Sequence, residues 1–295
     1  MIPSNFDYIR PDTLAAAQVA IANAGTSRSV KLIAGGQSLL TALKQRQLEP
    51  GLLVDLAGVR ELQTGVTVGP EGLTVGAMTR QADFVADALT ATHAPVFRAV
   101  AAAAADPMVR RRGTVVGAFC EADPFGDWVP AALVHDTTLT IRSGTATRQV
   151  PLSELASKPA DGRLATGEIV VSATIPALAE GTRHAYRKVK HAAIGWGIAS
   201  LAATLSTGVD GGITQIRLAA AGALRVPQRL TALEAALIGI DPTDAAGLDL
   251  TITTALAEIE AIGDSYASPE YRRRRLAILI RRTLSELAGK TVQDT

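Results

Sequence analysis

The sequence predicts a mixed α+β fold in two domains, residues 1–176 and 177–295. Three observations carry this. Short apolar runs alternate with helical patterns as far as about residue 176, the pattern of strands and helices sharing one core. A β-like run, Ile169-Val170-Val171-Ser172-Ala173-Thr174-Ile175, then stops at Pro176, and Ala177 to Thr182 reads as a linker. Beyond it the chain changes character, to two strand candidates followed by helices alone. At roughly 150 residues per domain, 295 residues make about two domains with real cores.

Each element has a local reason. Pro11-Asp12-Thr13 opens a helical pattern that reaches Asn23 and stops at Gly25, matching helix start and stop rules. Lys31-Leu32-Ile33-Ala34 reads as a short strand; it ends in Gly35-Gly36, and Gln37-Ser38-Leu39-Leu40 starts a helix. Leu52-Leu53-Val54-Asp55-Leu56 reads as a buried strand. Gly65 to Met78 reads as a hairpin turning at Pro70-Glu71-Gly72. Helices are expected over Arg80–Leu89 and Ala94–Ala104, and an irregular, glycine-containing, charged segment over Asp106–Asp127. A helix over Val129–Val134 and a hairpin over Thr137–Val150, turning at Ser143-Gly144, precede the Ile169 strand. In the second part, strands over Gly197–Leu205 and Ile213–Ala219 flank Val209-Asp210-Gly211-Gly212. Helices follow over Val226–Leu237, Thr251–Ile262 and Pro269–Leu287. No internal repeat of 20–50 residues is visible.

Hydrophobic residues are 47% and charged residues 19% of the chain, against roughly 25% charged in an ordinary soluble protein. Mean hydropathy is +0.21. Disorder is excluded, and some surface reads as covered, as in a subunit of a larger complex. A net charge of +1 exerts no global pull on nucleic acid or anionic membrane. The runs Arg110-Arg111-Arg112 and Arg272-Arg273-Arg274-Arg275 lack the interleaved aromatics of a nucleic-acid surface. They read as solvated faces or as docking surfaces for partner chains. One cysteine, Cys120, excludes an internal disulfide and any iron–sulfur or cysteine-ligated zinc centre built by these residues alone; it reads best as a small buried hydrophobe. Met1 to Arg10 holds no apolar signal core. The weakly polar stretch Ala192–Leu205 is shorter than the roughly 18 residues of a membrane span and is broken by Gly195 and Gly197. The expectation is a soluble protein of a reducing compartment, the cytoplasm, with no membrane span and no nucleic-acid partner.

Most standard motifs are absent. No GxGxxG follows a strand. Gly289-Lys290-Thr291 ends like a phosphate-binding loop, but Leu284 stands where the first glycine belongs. There is no HExxH and no GxSxG, and His93, His135, His184 and His191 show no ligand spacing. Two loops carry possible chemistry. Ala34-Gly35-Gly36-Gln37-Ser38 lies between a strand and a helix, where adjacent glycines let backbone N–H groups approach an anion; it also reads as a plain tight turn. Arg112-Gly113-Thr114-Val115-Val116-Gly117-Ala118, followed by Asp123-Pro124-Phe125-Gly126-Asp127, has the small residues, hydroxyl and carboxylates to wrap a pyrophosphate or ribose; it also reads as a capped loop.

Taken together and in order, these segments resemble the FAD-binding medium subunits of molybdenum hydroxylases, the carbon monoxide dehydrogenase and xanthine dehydrogenase group. The resemblance spans almost the whole chain. It runs from Phe6-Asp7-Tyr8 and Arg10-Pro11 through the Ala34–Leu40 segment, Leu53-Val54-Asp55-Leu56, Val75-Gly76-Ala77-Met78-Thr79, Asp106-Pro107 and Arg112-Gly113-Thr114. Asp123-Pro124 with Asp127, Gly167-Glu168-Ile169, Ile175-Pro176, Tyr186-Arg187-Lys188, Pro269-Glu270-Tyr271-Arg272 and Arg281-Arg282 continue it.

The resemblance implies a flavin-binding α+β domain of the vanillyl-alcohol-oxidase (PCMH) type over residues 1–176 and a C-terminal domain of the carbon monoxide dehydrogenase flavoprotein type over 177–295. It implies that Ala34, Gly35, Gly36, Gln37 and Ser38 bind the FAD pyrophosphate. The family's second loop, a Thr-Ile-Gly-Gly-Asn run, falls on Thr114, Val115, Val116, Gly117 and Ala118; Val116 replaces a glycine and Ala118 the asparagine. Asp127 matches a carboxylate at the ribose or adenine end, and Ile169 and Val170 match the apolar pair beside the isoalloxazine. Lys188 and Lys190 fall in a basic segment near the ring, where a cation stabilises reduced anionic flavin. Trp196 matches a flavin-facing tyrosine and also reads as a core residue; Gly195 replaces a family aspartate. The Arg110–Arg112 run becomes a candidate for helping the FAD phosphates.

The implied role is electron transfer inside a heterotrimer. A large subunit carries the molybdenum cofactor, a small subunit carries two iron–sulfur clusters, and this chain passes electrons through FAD to an acceptor. A dimer of heterotrimers is expected, and no catalytic nucleophile, base or metal ligand is named on this chain. A stand-alone flavoprotein oxidoreductase and a scaffold subunit that has lost FAD are the alternatives, the second motivated by Val116 and Ala118.

Overall fold

The computed structural model describes residues 2–25, 28–62, 64–191 and 195–289. Ala192, where the weakly polar stretch begins, and Lys290-Thr291 of the loop-like ending lie outside them. In chain order come β1 (Asp7–Ile9), α1 (Leu14–Ala24), β2 (Val30–Ile33), α2 (Leu39–Lys44), β3 (Leu52–Asp55), β4 (Val66–Gly69) and β5 (Gly72–Gly76). The helices α3 (Gln81–Ala86), α4 (Ala88–His93), α5 (Val96–Ala103), α6 (Pro107–Arg112), α7 (Val115–Glu121) and α8 (Trp128–Val134) follow. Then come β6 (Thr138–Ser143), β7 (Ala146–Pro151), α9 (Leu152–Ser157), β8 (Ile169–Ile175), β9 (Arg183–Lys190), β10 (Gly197–Thr207), β11 (Ile213–Ala221) and β12 (Gln228–Arg229). The chain closes with α10 (Thr231–Leu237), α11 (Ala245–Ala257) and α12 (Pro269–Leu287).

Two compact units result. The first comprises 1–92, 105–121 and 137–176; the second comprises 93–104, 122–136 and 177–295. In the first, a parallel sheet of order β1-β3-β2 precedes an antiparallel sheet of order β4-β5-β8-β6-β7. Helix α1 starts where the Thr13 hydroxyl accepts from the Ala16 N–H and stops at Gly25 (φ 62°). Strand β8 occupies the centre of the second sheet, so its Ile169, Ala173 and Ile175 are fully buried.

The second unit is a sheet of order β12-β11-β10-β9 covered by α10, α11 and α12. Its core is Leu and Ile from β10 and β11 against Leu276, Leu279, Ile280 and Leu284 of α12. The start of α12 is set by Ser268, whose hydroxyl accepts from the Tyr271 N–H, with Pro269 in the first turn.

Three features differ from the sequence reading. Residues 106–121, expected to be irregular, form α6 and α7: the Asp106 carboxylate accepts from the Met108 and Val109 N–H groups and Pro107 takes the first turn. Strand β9 was not anticipated. Residues 183–190 carry five basic side chains, which disguise a strand pairing with β10 along its length. Finally, α5 and α8 pack in the second unit, α5 on β9 and α8 on β10 and β11. Phe97 and Val100 of α5 are fully buried there, and each such side chain contributes about 1.5–3 kcal/mol. At smaller scale, β12 delays α10 to Thr231, and α11 begins at Ala245, where Asp244 accepts from the Ala246 and Gly247 N–H groups.

Candidate functional site

The first unit contains a cavity of about 970 Å³, at the upper end of the usual range for ligand pockets, roughly 300–1,000 Å³. It opens where the parallel strand β2 ends, the position at which parallel sheets characteristically receive ligands. Ala34, Gly35, Gly36, Gln37 and Ser38 line it, together with Thr114, Val116, Gly117, Ala118, Ile169 and Val170. Segments more than a hundred residues apart in sequence thus share one wall. The contact between the two loops is main chain on main chain. A Cβ on Gly35 would lie 2.5 Å from the Arg112 carbonyl oxygen, 2.7 Å from the Gly113 Cα and 2.9 Å from the Thr114 nitrogen. Gly36 follows with φ +73°, in the left-handed region that glycine enters without strain.

The second loop is the start of α7 rather than an open loop. The Thr114 hydroxyl accepts from the Gly117 N–H at 3.1 Å, and an antiparallel bridge to Arg80 pins Thr114 from the other side. Val115 is buried and absent from the cavity wall, and the Val116 residue is only 2% exposed. The bulk that replaces the family's glycine is thus nearly all buried, although Val116 still contributes to the cavity wall. None of Arg110, Arg111 and Arg112 lines the cavity.

Sequence reasoning missed the wall formed by Ala160 and residues 163–168, Arg163 above all. Arg163 donates through Nε to the Lys158 carbonyl at 3.2 Å and through Nη1 to the Glu121 carbonyl. The turn behind it is held by Glu168, which accepts from the Ala165 N–H at 2.8 Å and from Arg148 at 2.6 and 2.9 Å in a two-pronged pair. The Arg148 guanidinium holds the Glu168 carboxyl below its ordinary value, reinforced by the Ala165 N–H. Only the Gly167-Glu168 dipeptide pointed here in the sequence. Cys120 also lines the cavity, and burial pushes its thiol up to about 12.

The other sequence candidates lie in the second unit. Tyr186 donates its hydroxyl to Asp127 Oδ1 at 2.5 Å, and Lys188 Nζ donates to Asp127 Oδ2 at 2.9 Å. The Asp127 and Lys188 side chains are only 10% and 4% exposed. Burial pushes the Asp127 carboxyl above its ordinary value, while Lys188 and the Tyr186 hydroxyl pull it back. Both carboxylate oxygens thus have internal partners. Lys190 is exposed at the end of β9. Trp196 is 55% exposed, with its ring centroid 5.8 Å from that of Phe125, so it is not a core residue.

Residues 4–178 match the FAD binding domain in molybdopterin dehydrogenase, and residues 184–287 match the CO dehydrogenase flavoprotein C-terminal domain. The nicotine 6-hydroxylase medium subunit of Paenarthrobacter nicotinovorans is 30% identical, over 90% of this chain and 92% of its own. The glyceraldehyde dehydrogenase medium chain of Sulfolobus acidocaldarius is 28% identical, over 98% of this chain and 100% of its own. A solved structure of carbon monoxide dehydrogenase from Hydrogenophaga pseudoflava superposes with a TM-score of 0.90 at 27% identity, covering 99% of this chain and 100% of that one.

Proposed function

The chain belongs to the FAD-binding family of the molybdopterin dehydrogenases, and from that premise we propose that it is the electron-transferring medium subunit of a heterotrimeric molybdenum hydroxylase. The observation that carries the reading is the cavity formed where Gly35 meets the backbone of residues 112–114. The residues present fit a dinucleotide. Gly35, with no room for a Cβ, and Gly36 bring main chain to the cavity wall, and peptide N–H groups suit a pyrophosphate. Ala34 to Ser38, Thr114 and Val116 to Ala118 would hold FAD, with Ile169 and Val170 as the apolar wall against its ring; Val115, matched to the second loop by resemblance, is packed away from the cavity.

Bound FAD supplies the redox chemistry; the protein positions the ring and sets its electrostatics. Ile169 and Val170, 0% and 5% exposed, keep water from their side of the cavity. Glu168 and Arg148 fix the turn that carries Arg163. By resemblance, Asp127, Lys188, Lys190 and Trp196 are also proposed as cofactor-binding residues. Substrate oxidation belongs to a large subunit with the molybdenum cofactor. By the same resemblance two iron–sulfur clusters belong to a small subunit, a division with which the single cysteine of this chain agrees. Pairing of two heterotrimers and a cytoplasmic location complete the reading.

The test is cofactor content. The chain is purified with its native partners, the cofactor is released by heat, identified by chromatography and counted against iron and molybdenum. One FAD per chain, with the metals in the partners, is the expected result. An intact, metal-containing complex without flavin overturns it in favour of a scaffold, and flavin without partners points to a stand-alone oxidoreductase. Gly36→Asp, which sets a carboxylate at the cavity wall, is expected to abolish flavin retention; normal stoichiometry in that variant removes the loop from the site.

A further inference from the structure

Helix α12 carries four consecutive arginines, Arg272 to Arg275, and the sequence reads them as one solvated or docking face. Arg272 breaks the run: it is 2% exposed. A buried cation is costly unless it is paired and hydrogen-bonded. Here Nη1 donates to the Gly222 carbonyl at 2.7 Å and the Ile198 carbonyl at 3.0 Å, with Gly197 O at 3.5 Å. Nη2 donates to Asp264 Oδ2 at 2.6 Å. Asp264 is itself fixed by the Tyr266 and Ala267 N–H groups.

These carbonyls are not ordinary ladder groups. The β9–β10 register shifts between Gly197 and Ala199, and β11 ends at Ala221. Ile198 falls in that shift and Gly222 lies past the end of β11, so the guanidinium fork takes up carbonyls at the sheet's irregular edge. The same guanidinium carbon sits 5.3 Å from the centroid of the Phe125 ring, within cation–π range. Phe125 in turn packs against Trp196, with centroids 5.8 Å apart and planes at 36°. The Gly222 N–H donates to the Pro124 carbonyl at 2.6 Å, which ties the Phe125 segment to the end of β11. One buried side chain thus joins residues 124–125, 196–198, 222 and 264.

We propose that Arg272 is a positioning residue: it sets the orientation of the Phe125–Trp196 pair, and that pair is a stacking face for a planar ring. The identity of the ring as flavin, or as a nicotinamide approaching it, rests on the function proposed above; the positioning role does not. Trp196 is half exposed beside a ring whose own orientation is set from beneath by a cation. Such a pair presents an ordered aromatic surface instead of a mobile one, and ordering a surface in advance lowers the entropic cost of binding to it.

The experiment uses the full chain. It has two tryptophans, and Trp128 is buried, so the difference between the protein and its Trp196→Phe variant isolates the Trp196 emission. Arg272→Met removes the cation and the fork; Arg272→Lys keeps the cation alone. Both are expected to red-shift the Trp196 emission and speed its quenching by acrylamide, with native circular dichroism retained. Asp264→Asn, which loosens one anchor only, is expected to move the same signals less and serves if the Arg272 variants do not fold. Unchanged Trp196 emission and quenching in a folded variant overturns the positioning role. The flavin-loaded complex supplies a second readout, in which the flavin absorption and the KM for the acceptor shift at unchanged flavin stoichiometry. Moved Trp196 signals with unmoved flavin absorption and KM leave Arg272 as the positioner and overturn the stacking face, and with it the flavin assignment of Trp196.

Discussion

In the first unit, Gly35 is pressed so closely on the Arg112–Thr114 backbone that no side chain fits between them. In the second, Tyr186, Lys188 and Arg272 use the ends of their side chains to hold Asp127, Phe125 and Asp264. One region is shaped by what glycine leaves out, the other by what long polar side chains reach. The difference decides how each fails. A main-chain contact is broken by adding atoms. A buried polar network is broken by removing one partner, which strands the other without water.

The largest effect is expected from Lys188→Met. It leaves the Asp127 carboxylate buried with only Tyr186, and breaking a buried pair from one side costs about 3–5 kcal/mol. Chemical denaturation checks this, and the accompanying Asp127→Asn change should recover much of the loss. A negligible cost would mean that this region relaxes more like a surface. Next is Gly35→Ala. Backbone cannot swing aside as a side chain can, so a loss of about 1–3 kcal/mol in stability and weaker flavin retention are expected, the latter read by dialysis and absorbance. Retention equal to that of the unaltered protein would show that the loops do not need their close approach.

The smallest effect concerns Cys120. Its thiol is raised from an ordinary 9.0 to about 12 by burial, chiefly, and by Glu121, with Arg163 opposing. The folded state therefore holds this proton more tightly than the unfolded chain. The contribution to stability is fully present below about pH 9 and is lost as the pH rises through about 12. At neutral pH a thiol reagent such as DTNB should react slowly with the native protein and rapidly after unfolding. Fast native reaction would mean that the cavity wall near Cys120 opens readily.

The same contrast explains what could be read in advance. The Gly35-Gly36 pair after an apolar strand is a local signal, because the backbone conformation and close approach it allows are properties of those two residues. Helix α12 was equally legible, expected and found over Pro269–Leu287, with the proline marking its start. Strand β9 was not, because its inward residues include Tyr186 and Lys188, whose partner Asp127 lies about sixty residues earlier. A charge that is satisfied across such a distance looks, from the sequence, like a charge in water. Arg272 misled for the same reason, sitting in a row of four identical residues of which it alone is deeply buried. The Asp106-Pro107 start of α6 was a readable cap overshadowed by the arginines and glycines around it.

The approach of Gly35 to residues 112–114 also bears on how the molecule is assembled. The contact closes a long stretch of chain, and the entropy of such a closure must be met before the cavity exists. A dinucleotide bound there, as proposed above, would recognise only chains that have completed this step and would withdraw finished molecules from the folding equilibrium. Cofactor supply would then act as a late quality check: chains made in flavin shortage would lack that added stabilisation and stay more exposed to proteolysis.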